Sequence, residues 1–265
     1  MTVSTSMQLE HDHQRSLGEQ LGFAAGSVIG RDHTRGRRNN QDAVAIEIAD
    51  ERWVLVVADG CGSGRGSEVG ARLGSAFVAS HFAERGFSAG IDAFEPALLG
   101  YLSQVAVAFG SGAKRARGIA DHLLFTFLAV VVEPSRTRVL GVGDGVVIHD
   151  STRSVLTSGL ENTPSYAAYD LLSPEDLVGV GSTPWARPVL HADVPTASLS
   201  VIGVATDGAS VLAESANDPL AMICESARRS RNPYVVQRRL VALAERGPRM
   251  SDDTTIALVW RTSCT

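Results

Sequence analysis

Carboxylate side chains recur where apolar runs of the chain begin or end. The clearest example is Asp59, which follows the run Trp53–Ala58 and precedes a stretch rich in glycine. Four more aspartates adjoin apolar runs in the segments NNQDA, GVGDG, GVATDG and SDDTT: Asp42, Asp144, Asp207 and Asp252. Apolar runs bounded by glycine-rich sequence predict buried strands, so the five carboxylates are expected at strand edges. Their recurrence predicts one shared site.

A shared site of five carboxylates needs a counter-charge, because buried charges without partners are strongly unfavourable. The candidate ligands are oxygen atoms, and no cluster of His or Cys accompanies them. Oxygen ligands select hard cations, so the sequence predicts Mg²⁺ or Mn²⁺ rather than Zn²⁺. One carboxylate between two such cations makes a hydrolytic site that lowers the pKa of a bound water. The backbone carbonyl of Gly60 is a further candidate ligand.

A basic segment, Arg31–Arg38, precedes the first of these carboxylates. An arginine there suits an anionic substrate, because a guanidinium can hold a phosphate through two hydrogen bonds. The same segment is equally typical of a solvated loop. The glycine-rich stretch after Asp59 lacks both the Lys-Ser/Thr pair of a P-loop and the spacing of a dinucleotide site. A nucleotide-binding loop is therefore not expected.

Several of these aspartates also have a purely structural interpretation. Asp207 could cap the helix that is expected to follow it, and Asp252 or Asp253 could lie in a turn. The pair Asp144-Gly145 separates two apolar runs, which is typical of a tight hairpin turn. These alternatives are reasonable one by one, whereas the aspartates taken together favour a site.

The composition is typical of a soluble globular protein. The chain has 265 residues, of which 44% are hydrophobic, and its net charge of −5 offers no basic surface for nucleic acid. The longest apolar stretch, Leu123–Val132, is too short to span a bilayer, and no secretory signal opens the chain. Three scattered cysteines indicate a reducing compartment rather than a disulfide framework. We expect a cytoplasmic protein without nucleic-acid or membrane partners.

The order of predicted elements favours one α+β domain in which helices cover antiparallel sheets. Residues 1–20 are polar and expected to form a mobile arm or a short helix, and residues 21–265 form the domain. The predicted strands are Phe23–Ile29, Ala43–Ile48, Trp53–Ala58, Leu123–Val132, Arg138–Val142, Val146–His149, Ser198–Ala205 and Thr254–Trp260. The predicted helices are Ser67–Phe82, with Ser67 as its cap, Ile91–Phe109, Ala209–Glu214, Pro219–Arg228 and Pro233–Arg246.

Two segments are expected to lack regular structure. Ser111–Asp121 contains glycine and several basic residues and is predicted to be a connection between a helix and a strand. Ser158–Val194 shows poor periodicity and is predicted to be a flap-like surface insertion, where substrate contacts often lie.

The segments RRNNQDA, VVADGCGSG, GVGDG, VATDG and SDDTT, in this order, resemble the metal-dependent Ser/Thr protein phosphatases, the PPM or type 2C family. The resemblance covers roughly Phe23–Arg261, and the pattern around the glycines is similar to the bacterial branch. It implies a sandwich of two antiparallel sheets between layers of helices. It also implies two Mn²⁺ or Mg²⁺ ions with a nucleophilic water between them, and hydrolysis of phosphoserine and phosphothreonine in substrates of a Ser/Thr kinase, as part of signal transduction.

The resemblance further implies a role for each candidate residue in metal binding. Asp59 corresponds to the carboxylate that bridges both metals, and the carbonyl of Gly60 corresponds to a ligand of the second. Asp207 and Asp252 correspond to the remaining carboxylates of the first metal. Asp42 corresponds to an acidic residue that acts through metal-bound water.

Two more positions carry over with different roles. Arg37 corresponds to the arginine that grips the substrate phosphate, and it is expected to contribute to catalysis together with Asp59, Asp207 and Asp252. Asp144 corresponds to a carboxylate associated with a weaker third metal.

The chain departs from the family pattern at three places. Gln41 stands where the family often has Glu, and Cys61 stands where some members have a His that protonates the leaving group, so the general acid is unassigned. Gly145-Val146 stands where Ser-Arg is frequent. Gln41 favours an alternative, a phosphatase-fold protein that binds a partner or phosphopeptide with little or no turnover. A hydrolase of small phosphate esters is a third reading of the same site.

Overall fold

The computed structural model of the protein describes residues 2–5, 21–49, 51–158, 164–173, 175–176, 187–230, 232, 234–246 and 250–262. Two antiparallel sheets pack face to face, and helices cover their outer faces. The first sheet consists, in spatial order, of β1 (Thr2–Thr5), β3 (Asp42–Ala49), β4 (Arg52–Gly60), β5 (Phe125–Val132), β6 (Arg136–Val142) and β9 (Val189–Pro195). The second consists of β2 (Leu21–Val28), β11 (Thr254–Arg261), β10 (Val201–Ala205), β7 (Gly145–His149) and β8 (Thr152–Leu156).

The α-helices of the described chain are α1 (Arg31–Gly36), α2 (Glu68–Ala106), α3 (Gly112–His122), α4 (Ser210–Ala213), α5 (Pro219–Arg229) and α6 (Val235–Arg246). Short 3₁₀ turns occur at Val107–Phe109, Ala167–Leu171, Thr196–Ser198 and Asp207–Ala209. This architecture confirms the predicted α+β class and the sandwich that the resemblance implied. No helix within the described ranges combines the length and the apolar character that a membrane crossing requires.

The central strand β4 shows why the sequence forms this sandwich. Along β4, Trp53, Leu55 and Val57 face the second sheet, whereas the intervening valines and Ala58 pack under α2. Because both faces of β4 are buried, its sequence is a continuous apolar run and does not alternate between apolar and polar residues. The rings of Trp53 and Phe23, which come from opposite sheets, form a T-shaped pair with 5.4 Å between their centroids. Each such fully buried large side chain stabilises the fold by roughly 1.5–3 kcal/mol.

The long helix α2 joins two segments that were predicted as separate helices. Helical conformation is broken within it at Gly86, whose φ of 72° is the left-handed conformation that glycine tolerates best. After this kink the amide of Phe87 donates to the carboxylate of Glu133, 3.1 Å away, and the helix resumes before the predicted start at Ile91. Ser67 precedes the helix as expected, but its side chain forms no capping hydrogen bond.

The prediction of a connection at Ser111–Asp121 is wrong, because the segment forms helix α3. The ring of Phe109 packs directly against Gly118 and stacks on His122, with 5.5 Å between ring centroids. Ile119 is fully buried beneath them. These tertiary contacts stabilise a short helix whose composition alone indicates a loop.

The alternative interpretation of Asp144-Gly145 as a hairpin turn does not hold. Strand β6 belongs to the first sheet and β7 to the second, so the residues between them carry the chain across the sandwich. A hairpin would pair β6 with β7, whereas β7 pairs with β8 and β10. The crossing places Asp144 at the edge of both sheets.

Three other segments differ from their sequence-based expectations. The basic segment Arg31–Arg38 contains the short helix α1 rather than only a loop. Within the expected arm, Thr2–Thr5 pairs with β3, and residues 6–20 lie outside the described residues. Within the expected insertion, Val189–Pro195 is an edge strand, and Tyr166 and Tyr169 are buried against the α2 layer. Residues 159–163, 174 and 177–186 of that insertion also lie outside the described part of the chain.

Candidate metal centre

Two aspartates lie side by side at one end of the first sheet. Asp42 begins β3, Asp59 lies near the end of β4, and the antiparallel register sets them directly opposite each other. Side chains alternate along a strand, and Asp42 and Asp59 continue the series whose apolar members face the second sheet. The two carboxylates therefore point into the space between the sheets.

The second sheet brings three more aspartates to the same end of the sandwich. Asp207 follows β10, Asp252 precedes β11 and Asp144 precedes β7. These three strands are neighbours, and Ala205 at the end of β10 pairs with Val146 and Ile256, close to the starts of β7 and β11. Antiparallel pairing thus places the three aspartates along one edge of the second sheet.

The five carboxylates interact electrostatically. The pKa of Asp59 is raised well above its ordinary value, first by burial and then by the negative charges of Asp42, Asp207, Asp252 and Asp144. Burial, followed by the charges of Asp252 and Asp144, raises the pKa of Asp207 to about 6. All five predicted aspartates are thus brought together, and in the absence of a cation they repel one another.

Asp42 is held by a hydroxyl of the opposite sheet. The Thr206 side chain donates a hydrogen bond of 2.7 Å to Oδ2 of Asp42, and the amide of Thr255 donates to the same hydroxyl. Burial and the charge of Asp253 raise the pKa of Asp42, while the bond from Thr206 lowers it. The other oxygen, Oδ1, is buried and has no hydrogen-bond partner among the described residues.

Asp253 is the residue whose role the sequence analysis missed. It is 1% exposed and accepts hydrogen bonds from the amides of Gly30 (2.7 Å) and Gln41 (2.5 Å), and it bonds Nδ1 of His33 at 2.7 Å. A turn residue would be solvated, whereas this carboxylate ties three segments together. The one available signal was the Asp252-Asp253 doublet, because neighbouring side chains at a strand start point in opposite directions.

His33, Asp252 and Asp253 also form a group whose potential ligand atoms lie within 4.8 Å of one another. The two oxygens of Asp253 already accept the hydrogen bonds of Gly30, Gln41 and His33. Asp253 therefore fits a positioning role, and Asp252, which is exposed, is the carboxylate of this pair that remains open to a ligand.

Gln41 is buried beside Asp42, and its side-chain oxygen is a further indication of whether the site suits a cation. Its Nε2 donates to the carbonyl of Gly64 at 3.1 Å, and its backbone carbonyl accepts the amide of Gly60 at 3.1 Å. Its Oε1, like Oδ1 of Asp42, is buried and finds no hydrogen-bond partner in the part of the chain that the structure describes. Unsatisfied buried oxygens beside a cluster of carboxylates are the environment that a hard divalent cation requires. The residues fit Mg²⁺ or Mn²⁺.

The two arginines after α1 differ in their surroundings. Arg38 donates to the carbonyls of Gly62 and Gly64 and so holds the glycine-rich loop. Arg37 is exposed, takes the left-handed conformation with φ of 54°, and its side chain forms no hydrogen bond or ion pair with any described residue. Of these two, Arg37 is the one available to an anion from solution.

Cys61 contacts a tyrosine from the expected insertion. Its sulfur lies 3.1 Å from the hydroxyl of Ser63, and the buried hydroxyl of Tyr166 forms a hydrogen bond with the thiol. Burial raises the pKa of Tyr166, and Cys61 and Asp59 raise it further. Tyr166 could not be singled out from its sequence context, because only the folded chain brings it to the glycine-rich loop.

The sequence model of the family described as Protein phosphatase 2C matches residues 29–244. No curated protein sequence matches this chain. Among solved structures, the serine/threonine phosphatase of S. agalactiae is similar at 19% identity and a TM-score of 0.58, covering 91% of this chain and 99% of that one.

Two further solved structures share the fold. The catalytic domain of serine/threonine protein phosphatase PstP, in complex with 2 manganese ions, is 19% identical with a TM-score of 0.57 and covers 92% of this chain and 99% of its own. Serine/threonine phosphatase Stp1 from Staphylococcus aureus is 17% identical with a TM-score of 0.54 and covers 93% and 97%. At these identities the likeness concerns the fold.

Gly30→Ala should disturb the aspartate edge of the second sheet. A methyl group at Gly30 would lie 2.3 Å from the backbone carbon of Asp252 and 2.5 Å from the carbonyl oxygen of Ser251. We expect a loss of roughly 1–3 kcal/mol in the free energy of unfolding by urea, because backbone must move. Mn²⁺ binding measured by calorimetry should weaken as well. In the control Gly36→Ala the nearest atom is 3.7 Å away, and neither quantity should fall.

Without a divalent cation, stability should fall as pH rises through the titration of Asp207. The folded pKa of about 6 exceeds the unfolded value of 3.8, so the folded state binds the proton more tightly in this window. In EDTA, the wild type and Asp207→Asn should have the same melting temperature near pH 4. Above pH 6 the wild type should melt at a lower temperature than Asp207→Asn. The free-energy gap is on the order of 1–3 kcal/mol. A gap that does not change with pH contradicts this assignment, and Asp92→Asn on α2 is the control.

Proposed function

The chain belongs to the protein phosphatase 2C family, and from this premise we propose that it hydrolyses phosphoserine and phosphothreonine in proteins with Mn²⁺ or Mg²⁺ as cofactor. The observation that carries the proposal is the convergence of five carboxylates at one end of the space between the sheets. Each of four neighbouring carboxylates raises the pKa of the central one, Asp59. Such a cluster suits bound divalent cations.

We assign the cation ligands by their place in this cluster. Asp59, which interacts with all the others, would lie between two cations, and the carbonyl of Gly60 would complete the second. Asp207 and Asp252, which raise the pKa of Asp59 from the second sheet, would complete the first. Asp42 would act through water.

Asp144, at the crossing between the sheets, is proposed for a third and weaker cation. Its charge raises the pKa of both Asp59 and Asp207, which supports a place at the rim of the same cluster. Two cations, with this third, are therefore the expected complement of the site.

The cations would supply Lewis-acid activation of water and charge neutralisation at the phosphoryl group. The residues of the chain then hold the reacting groups. Arg37, which is exposed and has no partner among the described residues, binds the dianionic phosphate through two charge-assisted hydrogen bonds. Thr206 orients Asp42, and Asp253 holds the backbone before β3 and β11 in register. The donor of the proton to the leaving serine or threonine oxygen is left open.

Phosphoproteins made by a Ser/Thr kinase, in the cytoplasm, are the proposed substrates. The similar structures are described as serine/threonine phosphatases, and one holds 2 manganese ions, which supports both the substrate class and the metal. The scattered cysteines support a reducing compartment. Signal transduction is the setting in which such an activity operates.

A binding protein with little turnover is the alternative, and Gln41 is the residue that favours it. A neutral amide near the second cation weakens electrostatic attraction relative to a carboxylate. Retention of every aspartate argues for turnover. Hydrolysis of an aryl phosphate by the wild type with Mn²⁺ separates the two, and rates on phosphopeptides compared with small phosphorylated metabolites identify the substrate class.

Asp59→Ala and Asp207→Ala should each abolish Mn²⁺-dependent hydrolysis of an aryl phosphate. We expect a loss of at least about 100-fold, since even residues that only support a metal ligand are often worth 10–100-fold. In EDTA both variants should melt at or above the wild-type temperature, because one of several repelling carboxylates is gone. Asp92→Ala on the exposed side of α2 is the control. Activity near that of the wild type in either variant would refute the two-cation assignment.

Arg37→Ala should raise KM for a phosphopeptide more than it lowers kcat. Loss of a charge-assisted contact made in the ground state costs roughly 1.5–3 kcal/mol, which is a change of about 10–150-fold. Steady-state kinetics measure both constants. Arg85→Ala, which removes an exposed arginine of α2, is the control. An unchanged KM would move the phosphate contact to Arg31, Arg35, Arg38 or Arg65.

A further inference from the structure

A continuous groove runs between α5 and α6 on the outer side of the second sheet. The two helices are antiparallel. The start of α5 and the end of α6 line one end of the groove, and the end of α5 and the start of α6 line the other. It comprises two adjoining cavities of about 670 and 160 Å³, both lined by Met222 and Arg239. None of its lining residues belongs to the carboxylate site.

The centre of the groove is apolar. Met222 stands at its middle, where it lines both cavities, and its side chain is 56% exposed. Val235, Ala242 and Leu243 continue the apolar lining along α6. Positions on each helix recur at intervals of three or four residues, so the lining is one face of each helix.

The rim of the groove is basic. Arg229, Arg239 and Arg246 line it, and the one carboxylate among the lining residues, Glu225, is paired with Arg229. Taken together, α5 and α6 carry five arginines and two glutamates, although the chain as a whole has a net charge of −5. Within the described ranges, the side chain of Arg246 forms no ion pair or hydrogen bond.

We propose that this groove binds an acidic amphipathic helix of a partner protein, with its apolar side chains over Met222 and its carboxylates on the three arginines. Eleven helical residues of α5 extend about 16 Å, which accommodates roughly three turns of a bound helix. Charge complementarity selects an acidic segment, and the apolar centre selects a peptide over a nucleic acid or another purely polyanionic ligand. The surface is separate from the site of hydrolysis, so the inference does not depend on turnover.

Fluorescence anisotropy with a defined probe tests the proposal. The probe is a fluorescein-labelled 15-residue peptide with leucines at helical spacing and glutamates between them, and its partner probe replaces every glutamate by lysine. The full-length chain should bind the acidic peptide saturably, more weakly at high salt, and should not bind the basic one. Arg239→Glu and Met222→Glu should each weaken binding at least about tenfold. Both residues are exposed, and hydrolysis of an aryl phosphate should be unchanged in both variants.

The matched control is Arg117→Glu, which reverses another exposed helical arginine, on α3, and should bind the acidic peptide like the wild type. The proposal fails if neither peptide binds, if both bind equally, or if Arg239→Glu behaves like the control. It is also overturned if anionic vesicles compete for the groove more strongly than the acidic peptide. Sedimentation that shows a dimer abolished by Met222→Glu would identify a second copy of the chain as the occupant instead.

Discussion

The buried carboxylate of Asp253 is the interaction on which the arrangement of the site depends. The two sheets meet mainly through apolar side chains, and apolar packing alone tolerates small shifts of one sheet against the other. Asp253, at the start of a strand of the second sheet, accepts the amides of Gly30 and Gln41 and bonds His33 of α1. These directional bonds relate the start of β3 to the start of β11. Thr206 adds a second link of the same kind through Asp42.

The same constraint brings like charges together. With the sheets in register, Asp42 and Asp59 of the first sheet face Asp144, Asp207 and Asp252 of the second. Burial, and after it the repulsion among these carboxylates, raises the pKa values of Asp59 and Asp207. An arrangement that is unfavourable without a cation is one that a cation stabilises by binding the folded state. The apolar core behind the carboxylates keeps them from separating. The carboxylates that favour cation binding therefore lower the stability of the cation-free folded state at this end of the sandwich.

The two helical layers serve the fold in different ways. On the first sheet, α2 begins directly after the glycine-rich loop that follows Asp59, and its buried face packs in one cluster with the phenylalanines of that layer. On the second sheet, α5 and α6 bury one face but leave Met222 and a row of arginines toward solvent. One layer thus supports the carboxylate site, whereas the other presents a separate surface of opposite charge to the chain as a whole.

The local sequence pattern was sufficient to predict those elements whose structure is decided by burial of apolar side chains. The apolar run of β4 determined a strand buried on both faces with Asp59 at its end, and the runs of β10 and β11 determined the places of Asp207 and Asp252 in the same way. The helices α5 and α6 followed from their spacing of apolar residues.

What the sequence alone did not determine is which sheet each strand joins, because that depends on hydrogen bonds to residues distant in the chain. The segment at Asp144 has the composition of a hairpin but crosses between the sheets. The helix α3 is stabilised by Phe109, which packs on Gly118 and stacks on His122. Asp252 and Asp253 are adjacent and chemically identical in the sequence, and only the folded chain turns one toward the site and buries the other among the amides of two distant loops.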